Sequence, residues 1–160
     1  MPAAAVICVL SLLTGCGSQI TTEVNGAVAA TLDPSGSMLL VLKVCSGAVD
    51  EVGLYGARQG PETQPQEPIG IWRASAPVRH DTVLHIESPG PGWEVRRDPG
   101  PLNPGTQYIV IANHREADET LSQVHFTPRQ LEELGAGQLR FQGRVGNETE
   151  FARHACRAWS

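Results

Sequence analysis

The chain contains little lysine and methionine, and each scarcity argues against a class of function. Lys43 is the single lysine beside eleven arginines, and the formal net charge is −5. A mildly acidic balance argues against nucleic-acid binding, because phosphates favour surfaces on which basic side chains cluster. Met1 and Met38 are the only methionines, which is too few for the soft ligand clusters of copper carriers. We therefore expect neither a nucleic-acid partner nor a copper site.

Charge is also missing from the beginning of the chain, where no charged residue precedes Glu23. The apolar run 3–13 is shorter than the roughly 20 residues that a membrane-spanning helix needs. It ends in Leu13-Thr14-Gly15-Cys16, and small residues before a cysteine are typical of a bacterial lipoprotein signal. We expect a signal peptide over residues 1–15, lipid on Cys16, a tether over 16–22 and one domain over 23–160. The lipid would hold this domain at the extracytoplasmic face of the cell membrane.

Two cysteines remain once Cys8 and Cys16 are assigned to the leader and the lipid. An exported protein folds in an oxidising compartment, where such a pair is usually bonded. Neither Cys45 nor Cys156 has a second thiol at metal-ligand spacing, and His154 is the only nearby imidazole. The sequence therefore predicts a Cys45–Cys156 disulfide.

Short apolar or alternating segments separated by turn residues make up most of the remaining chain. Met38–Val44 is almost continuously apolar, as in a strand covered on both faces. Seven to nine such segments predict an all-β fold, specifically an antiparallel immunoglobulin-like β-sandwich. The segments are 20–32, 38–44, 49–55, 69–73, 82–87, 92–96, 107–112, 122–126 and 137–145.

Two helices are predicted from capping signals. Thr127, followed by Pro128 and by Gln130 three residues after it, forms a capping-box pattern and predicts a short helix before the last strand. Asn147 is the expected cap of a C-terminal helix that extends to Trp159. The apolar face of this second helix would contain Phe151, Ala155, Ala158 and Trp159.

Six short motifs follow one another along the chain: the lipobox Leu13-Thr14-Gly15-Cys16, Val44-Cys45-Ser46-Gly47, Val49-Asp50-Glu51-Val52, Ile71-Trp72-Arg73, Leu102-x-Pro104-Gly105-x-x-Tyr108, and Val124-x-Phe126-Thr127 followed by Leu131 and Leu134. This order resembles that of a class of uncharacterised actinobacterial secreted lipoproteins. The resemblance implies export and a lipid anchor, and no activity comes with it.

Histidine and carboxylate residues raise an enzymatic alternative. His80, Asp81 and His85 lie close in sequence, and Glu87 would share a strand face with His85. A metal-dependent envelope hydrolase would use the first three. The chain has neither a His-Glu-x-x-His motif nor a Gly-x-Ser-x-Gly elbow, so we predict no catalysis, no metal and no cofactor.

Adjacent carboxylates occur three times in the chain. Neighbouring residues of a strand point to opposite faces, so such pairs are poor acid–base couples. We expect all three pairs to lie on the solvated surface: Asp50-Glu51, Asp118-Glu119 and Glu132-Glu133.

Trp93, Arg96 and Arg97 are the candidate binding residues. They lie in the segment 88–105, which has five prolines and four glycines. Trp and Arg are enriched among the residues that dominate binding energy, although Trp93 could instead plug an open end of the sandwich. The sequence predicts a lipid-anchored, non-catalytic module that binds a protein or another envelope component. The metal-dependent hydrolase and an inert structural envelope protein are the alternatives.

Overall fold

The computed structural model describes residues 22–56 and 66–157 of the chain, and β-strands dominate them. The predicted signal peptide, Cys16 and the tether as far as residue 21 lie outside these ranges, as do Ala158 and Trp159. The strands are β1 (Glu23–Leu32), β2 (Met38–Val44), β3 (Val49–Tyr55), β4 (Gly70–Val78), β5 (Thr82–His85), β6 (Trp93–Arg97), β7 (Tyr108–His114), β8 (Glu119–Ser122), β9 (Val124–Phe126), β10 (Gln138–Phe141) and β11 (Arg144–Asn147). The helices are α1 (Pro128–Glu132) and α2 (Glu148–Ala155).

The eleven strands form one hydrogen-bonded sheet that curls into a half-barrel. Its main path runs β11-β10-β1-β8-β7-β3-β4-β6. Outside this path, β2 joins β1 to β5, and β9 pairs with β7. The prediction of an all-β fold is confirmed at this level.

Purely antiparallel pairing was expected, and this is wrong for one pair of strands. β1 and β8 run parallel, with Glu23 beside Glu119 and Val24 beside Thr120. The direction of β8 is set by its short hairpin with β7, which pairs His114 with Glu119 in antiparallel register. β8 therefore meets β1 in the same direction, and the sheet is mixed.

β1 connects the parts of the sheet, because it has partners along both of its edges. β2 pairs with it from Gly26 to Leu32 on one edge. β8 and β10 share the other edge, and β10 meets β1 at Ala30. The six residues 25–30 are all buried, as expected for a strand covered on both faces.

The two faces of β1 pack into two separate apolar clusters. Val28 and Ala30 belong to the main core that the half-barrel encloses. Ala27 and Ala29 point to the other face, where they belong to a cluster with Phe151 of α2. This alternation follows from the two-residue period of a strand, and it places α2 outside the main core.

Both helices begin at the predicted cap residues, and the structure shows a capping box at each, although the sequence predicted a box only at Thr127. The Thr127 hydroxyl accepts a hydrogen bond from the Gln130 backbone N–H at 3.2 Å, and the Gln130 side chain accepts from the Thr127 N–H at 3.0 Å. Asn147 and Glu150 make the same reciprocal pair at 2.9 Å each. α2 ends at Ala155 rather than at Trp159.

The segment after α1 is a hairpin rather than the single strand expected over residues 137–145. Gln142 and Gly143 both have positive φ, 42° and 73°, which suits a tight two-residue turn between antiparallel strands. β10 and β11 therefore both follow α1, so α1 precedes the last two strands.

Three large apolar side chains are exposed among the described residues, and each lies on an edge strand. Val83 on β5 is 50% exposed, Val95 on β6 is 38% exposed and Val145 on β11 is 48% exposed. Within residues 22–56 and 66–157, β5 pairs only with β2, β6 only with β4, and β11 only with β10. The half-barrel therefore presents open strand edges, which are the places where β-proteins pair with other chains.

Neither helix of the described residues combines the length and the apolar content that crossing a membrane requires.

Candidate functional site

Trp93 and Arg96 border one concave surface beside the edge strand β6. The pairing of β6 with β4 places Trp93 opposite Ala74 and Glu94 opposite Arg73. The surface encloses ≈ 520 Å³, and we call it the Trp93 concavity. Its lining residues are Arg73, Ala74, Ser75, Gly92, Trp93, Glu94, Arg96 and Arg115.

Trp93 is half-buried, and it has features of both roles considered from the sequence, a binding residue and an end plug. Its side chain packs against the main core, as an end plug would. The same residue borders the Trp93 concavity, as a binding residue would. Trp72, by contrast, is fully buried, and its indole N–H donates to the Ile86 carbonyl at 3.0 Å. The prediction that Trp72 belongs to the core is confirmed.

Each arginine of the concavity is paired with a carboxylate. Arg96 lies 3.0 Å from Glu94, two residues before it on β6, and both side chains are exposed. Arg73 donates from Nε to Glu51 of β3 at 2.6 Å. The surface is therefore polar and rich in guanidinium groups, while their charges are locally balanced.

Arg115 is held in place by Asp50, a carboxylate that the sequence analysis assigned to solvated surface. That assignment is wrong, since only 5% of the Asp50 side chain is exposed. Its Oδ1 accepts from the Arg115 backbone N–H at 2.9 Å, and its Oδ2 accepts from Nη2 at 3.1 Å. The register of β3 with β4 shifts between Val49 and Glu51, so regular alternation is interrupted at Asp50, and Arg115 in the turn after β7 donates both hydrogen bonds that this carboxylate accepts.

Arg97 does not belong to the Trp93 concavity. Its Nη1 donates to the Pro68 carbonyl at 2.6 Å and lies 3.6 Å from Glu67. The register between β6 and β4 shifts between Ile71 and Trp72, which is the pattern of a β-bulge. Of the three predicted binding residues, the structure thus brings together Trp93 and Arg96, and Arg97 contacts the segment that precedes β4.

Arg73 and Arg115 are site residues that the sequence analysis missed. They lie on β4 and in the turn after β7, far apart in sequence, and β3 brings them together by pairing with both strands. Their partner carboxylates, Asp50 and Glu51, are adjacent on β3. No local motif identifies such a group, because strand partners are set by the whole topology.

His80, Asp81 and His85 are not assembled into a metal site. Asp81 pairs with Lys43 and accepts from the Val44 backbone N–H at 3.2 Å. Both histidines are exposed, His80 in the turn before β5 and His85 at the end of β5. Residues 22–56 and 66–157 contain no group of three or more His, Cys, Asp or Glu side chains placed to hold a metal ion.

The predicted disulfide is confirmed. Cys45 and Cys156 are bonded, with their Cα atoms 5.6 Å apart, within the usual range for a disulfide. The bond joins the loop after β2 to the residue that caps the end of α2. It therefore attaches α2 to the sheet.

Three polar side chains, those of Asn25, His114 and Glu119, lie beside the loop that follows Cys45. Glu119 accepts from the Ala48 backbone N–H at 2.9 Å and lies 3.5 Å from the ring of His114. Gly47 has φ +65°, and a Cβ there would lie 2.6 Å from both Glu119 and Asn25. The loop can approach these side chains only because residue 47 lacks a side chain of its own.

No family model, no curated protein and no solved structure matches this chain.

Proposed function

We propose that this protein is a non-catalytic binding module of the bacterial cell envelope. A lipid on Cys16 holds it at the extracytoplasmic face of the membrane, and its Trp93 concavity receives a protein or another envelope component. The single observation that carries this proposal is the placement of Trp93, which borders a concave polar surface while its ring packs against the core.

The arginines beside Trp93 support binding because two of them are held in place before any partner arrives. Asp50 fixes Arg115 through two hydrogen bonds, and Glu51 fixes Arg73 through one. A side chain that is already ordered loses less conformational freedom on binding than a mobile one. Arg96 is exposed at the rim, where a partner carboxylate would compete with Glu94 for its guanidinium group.

We further infer an immunoglobulin-like layering within the curled sheet. The main core contains side chains from β1, β2 and β5 as well as from β3, β4 and β7. Two groups of strands that share one core are the basis of sandwich packing. In this arrangement the segment 88–105 comprises the edge strand β6 and the loops on either side of it, and surface loops are where recognition residues concentrate.

Site-specific photo-crosslinking tests the binding surface directly. A photoreactive phenylalanine analogue replaces Arg96 in one variant and Arg144, an exposed residue of β11, in the control. Both are expressed in an actinobacterial host and irradiated. We expect a discrete adduct from position 96 that position 144 does not give, and we expect Trp93→Ala to reduce it in a protein that remains folded. Identical adducts from both positions would contradict a partner site at Trp93.

Metabolic labelling with an alkyne fatty acid tests the anchor. We expect the label and the membrane association to be lost in Cys16→Ser, because the thiol is the proposed attachment point. Cys8→Ser is the matched control and should retain both, since Cys8 lies in the expected leader. Equal labelling of the wild type and Cys16→Ser would refute lipidation at this residue.

A further inference from the structure

A second pocket lies where β1 ends and β2 begins, beside α1. It encloses ≈ 230 Å³ and shares no lining residue with the Trp93 concavity. Pockets for drug-sized ligands are larger, roughly 300–1,000 Å³, so its volume suits a smaller molecule. We call it the α1 pocket, and its apolar lining consists of Leu32, Met38, Ile86, Leu102 and Leu131.

The apolar lining of the α1 pocket is part of the main core or packs against it. Ile86 and Leu131 are buried core residues, and Leu32, Met38 and Leu102 are partly buried against them. An apolar group that enters would therefore replace water on side chains that already belong to the core. Removing apolar surface from water in this way is favourable.

One wall of the pocket is formed by the segment 98–102, and its composition limits its freedom. Pro99 and Pro101 both line the pocket, and proline fixes φ. The Asp98 carboxylate accepts from the Gly100 backbone N–H at 2.9 Å, which closes a local turn. A wall constrained before binding reduces the ordering cost that a ligand must offset.

The charged residues that line the pocket are all acidic: Glu87, Asp98 and Glu132. The ion pairs among the described residues involve none of them. Their hydrogen bonds there are also few: Glu87 accepts the Ser37 hydroxyl at 3.4 Å, and Asp98 accepts the Gly100 N–H. The rim of the pocket is therefore anionic, and no basic side chain of the described residues lines it.

We propose that the α1 pocket binds a small organic cation, an alkyl- or arylalkylammonium ion. Its apolar part contacts the core side chains, and its ammonium group lies among the three carboxylates. Charge decides this choice, because an anion would be repelled by the rim and a neutral molecule would gain no ionic hydrogen bond there. The site is independent of the proposed partner surface at Trp93, since the two use different residues.

Methyl NMR of the full-length chain with Cys16→Ser tests the proposal. Met38 lines the pocket, and Met1 is the only other methionine, so labelled methionine methyl groups give two signals. The probe is 4-phenylbutylamine, and the matched neutral probe is 4-phenylbutanol. We expect the amine to shift the Met38 signal in a saturable manner while the Met1 signal stays fixed. The alcohol should bind about tenfold more weakly, because it lacks the charge.

Variants that remove charge distinguish ionic recognition by the rim from nonspecific apolar binding in the pocket. Glu87→Gln combined with Glu132→Gln should weaken amine binding about fivefold or more and leave alcohol binding unchanged. Glu133→Gln is the control, because Glu133 is adjacent and exposed but does not line the pocket. It should bind the amine as the wild type does.

Three results would overturn this assignment. One is a Met38 signal that stays fixed up to the solubility limit of the amine. Another is binding of the alcohol as tight as that of the amine, and the third is equal weakening by Glu133→Gln and by the double variant. None of these outcomes bears on crosslinking at Arg96, so failure here leaves the partner-binding proposal to its own test.

Discussion

Asp50 and Arg115 are 65 residues apart in sequence, and the Asp50 carboxylate accepts hydrogen bonds from both the backbone N–H and the guanidinium group of Arg115. The carboxylate is buried on β3, while 40% of the arginine side chain remains exposed. The pair therefore links the middle of the sheet to the surface of the Trp93 concavity.

Asp50→Ala should lower the free energy of unfolding by about 1.5–3 kcal/mol, the range for hydrogen bonds to charged groups. Arg115→Ala should cost less, because the backbone hydrogen bond remains and the lost guanidinium group is partly solvated. Urea unfolding of the two single variants and the double variant gives the coupling energy. A coupling near zero would show that the pair does not hold the turn in place.

The disulfide should contribute strongly to stability, because it closes a loop across a separation of 111 residues. The chain-entropy estimate for such a loop is about 4–5 kcal/mol. We expect the double variant Cys45→Ser/Cys156→Ser to lose much of this stabilisation, measured as the free energy of unfolding in urea. In a chain with Cys8→Ser and Cys16→Ser, unfolding without reductant should expose no free thiol. Two reactive thiols there would contradict the bond.

Trp93→Ala should destabilise the protein less than Trp72→Ala. Trp72 is fully buried, so its removal should cost about 3–5 kcal/mol, as for other buried aromatic residues. Trp93 is half-buried, so its removal should lower the free energy of unfolding by less. Partner binding by Trp93→Ala should fall by more than this loss of stability explains. A loss equal to that of Trp72 would make Trp93 a plug and remove the basis for the binding site.

Gly26→Ala should be poorly tolerated because β1 and β2 approach closely at this residue. A Cβ on Gly26 would lie 1.9 Å from the Lys43 carbonyl oxygen, so the backbone would have to move. We expect a loss of about 1–3 kcal/mol or more, as for other forced overpacking. Gly105→Ala is the control, since its nearest neighbour would be 3.7 Å away. Thermal unfolding of both variants compares them.

The pH dependence of stability should contain a contribution from Asp33. The Ser35 hydroxyl and then the Ser37 backbone N–H hold the pKa of Asp33 below its ordinary value of 3.8. A pKa lowered by folding means that the contribution is fully present above the unfolded-state value and is lost as the pH falls through the folded-state value. Wild type and Asp33→Asn should therefore differ near neutral pH and converge in acid. A constant difference in unfolding free energy from neutral to acidic pH would refute this.

Local signals in the sequence predicted local structure well. The capping box at Thr127 and the cap at Asn147 were both predicted, because each contact joins residues only three positions apart and the sequence pattern contains both partners. The disulfide followed from the number of cysteines and the expected compartment. Most strand segments agree with the structure because an apolar period of two residues reports burial directly.

Features that depend on which strands meet could not be predicted in this way. The parallel contact of β1 with β8 results from the hairpin direction of β8. Arg73 and Arg115 line the same concavity because β3 pairs with both β4 and β7. Asp50 was assigned to the surface because its own strand does not reveal the turn that covers it. The α1 pocket likewise combines residues from four separate ranges of the chain: 32–38, 86–87, 98–102 and 128–132.

The position of β1 in the sheet has a consequence for the order in which the protein folds. β1 is synthesised early, yet one of its edges is completed by β8 and β10, which lie near the other end of the described chain. Pairing across such long sequence separations slows folding, since the loop must close before the contact stabilises it. A nascent chain that has emerged only as far as β7 therefore exposes one edge of β1, the strand with the longest run of buried residues. Until residues 119–141 follow, this unpaired edge is open to pairing with another chain.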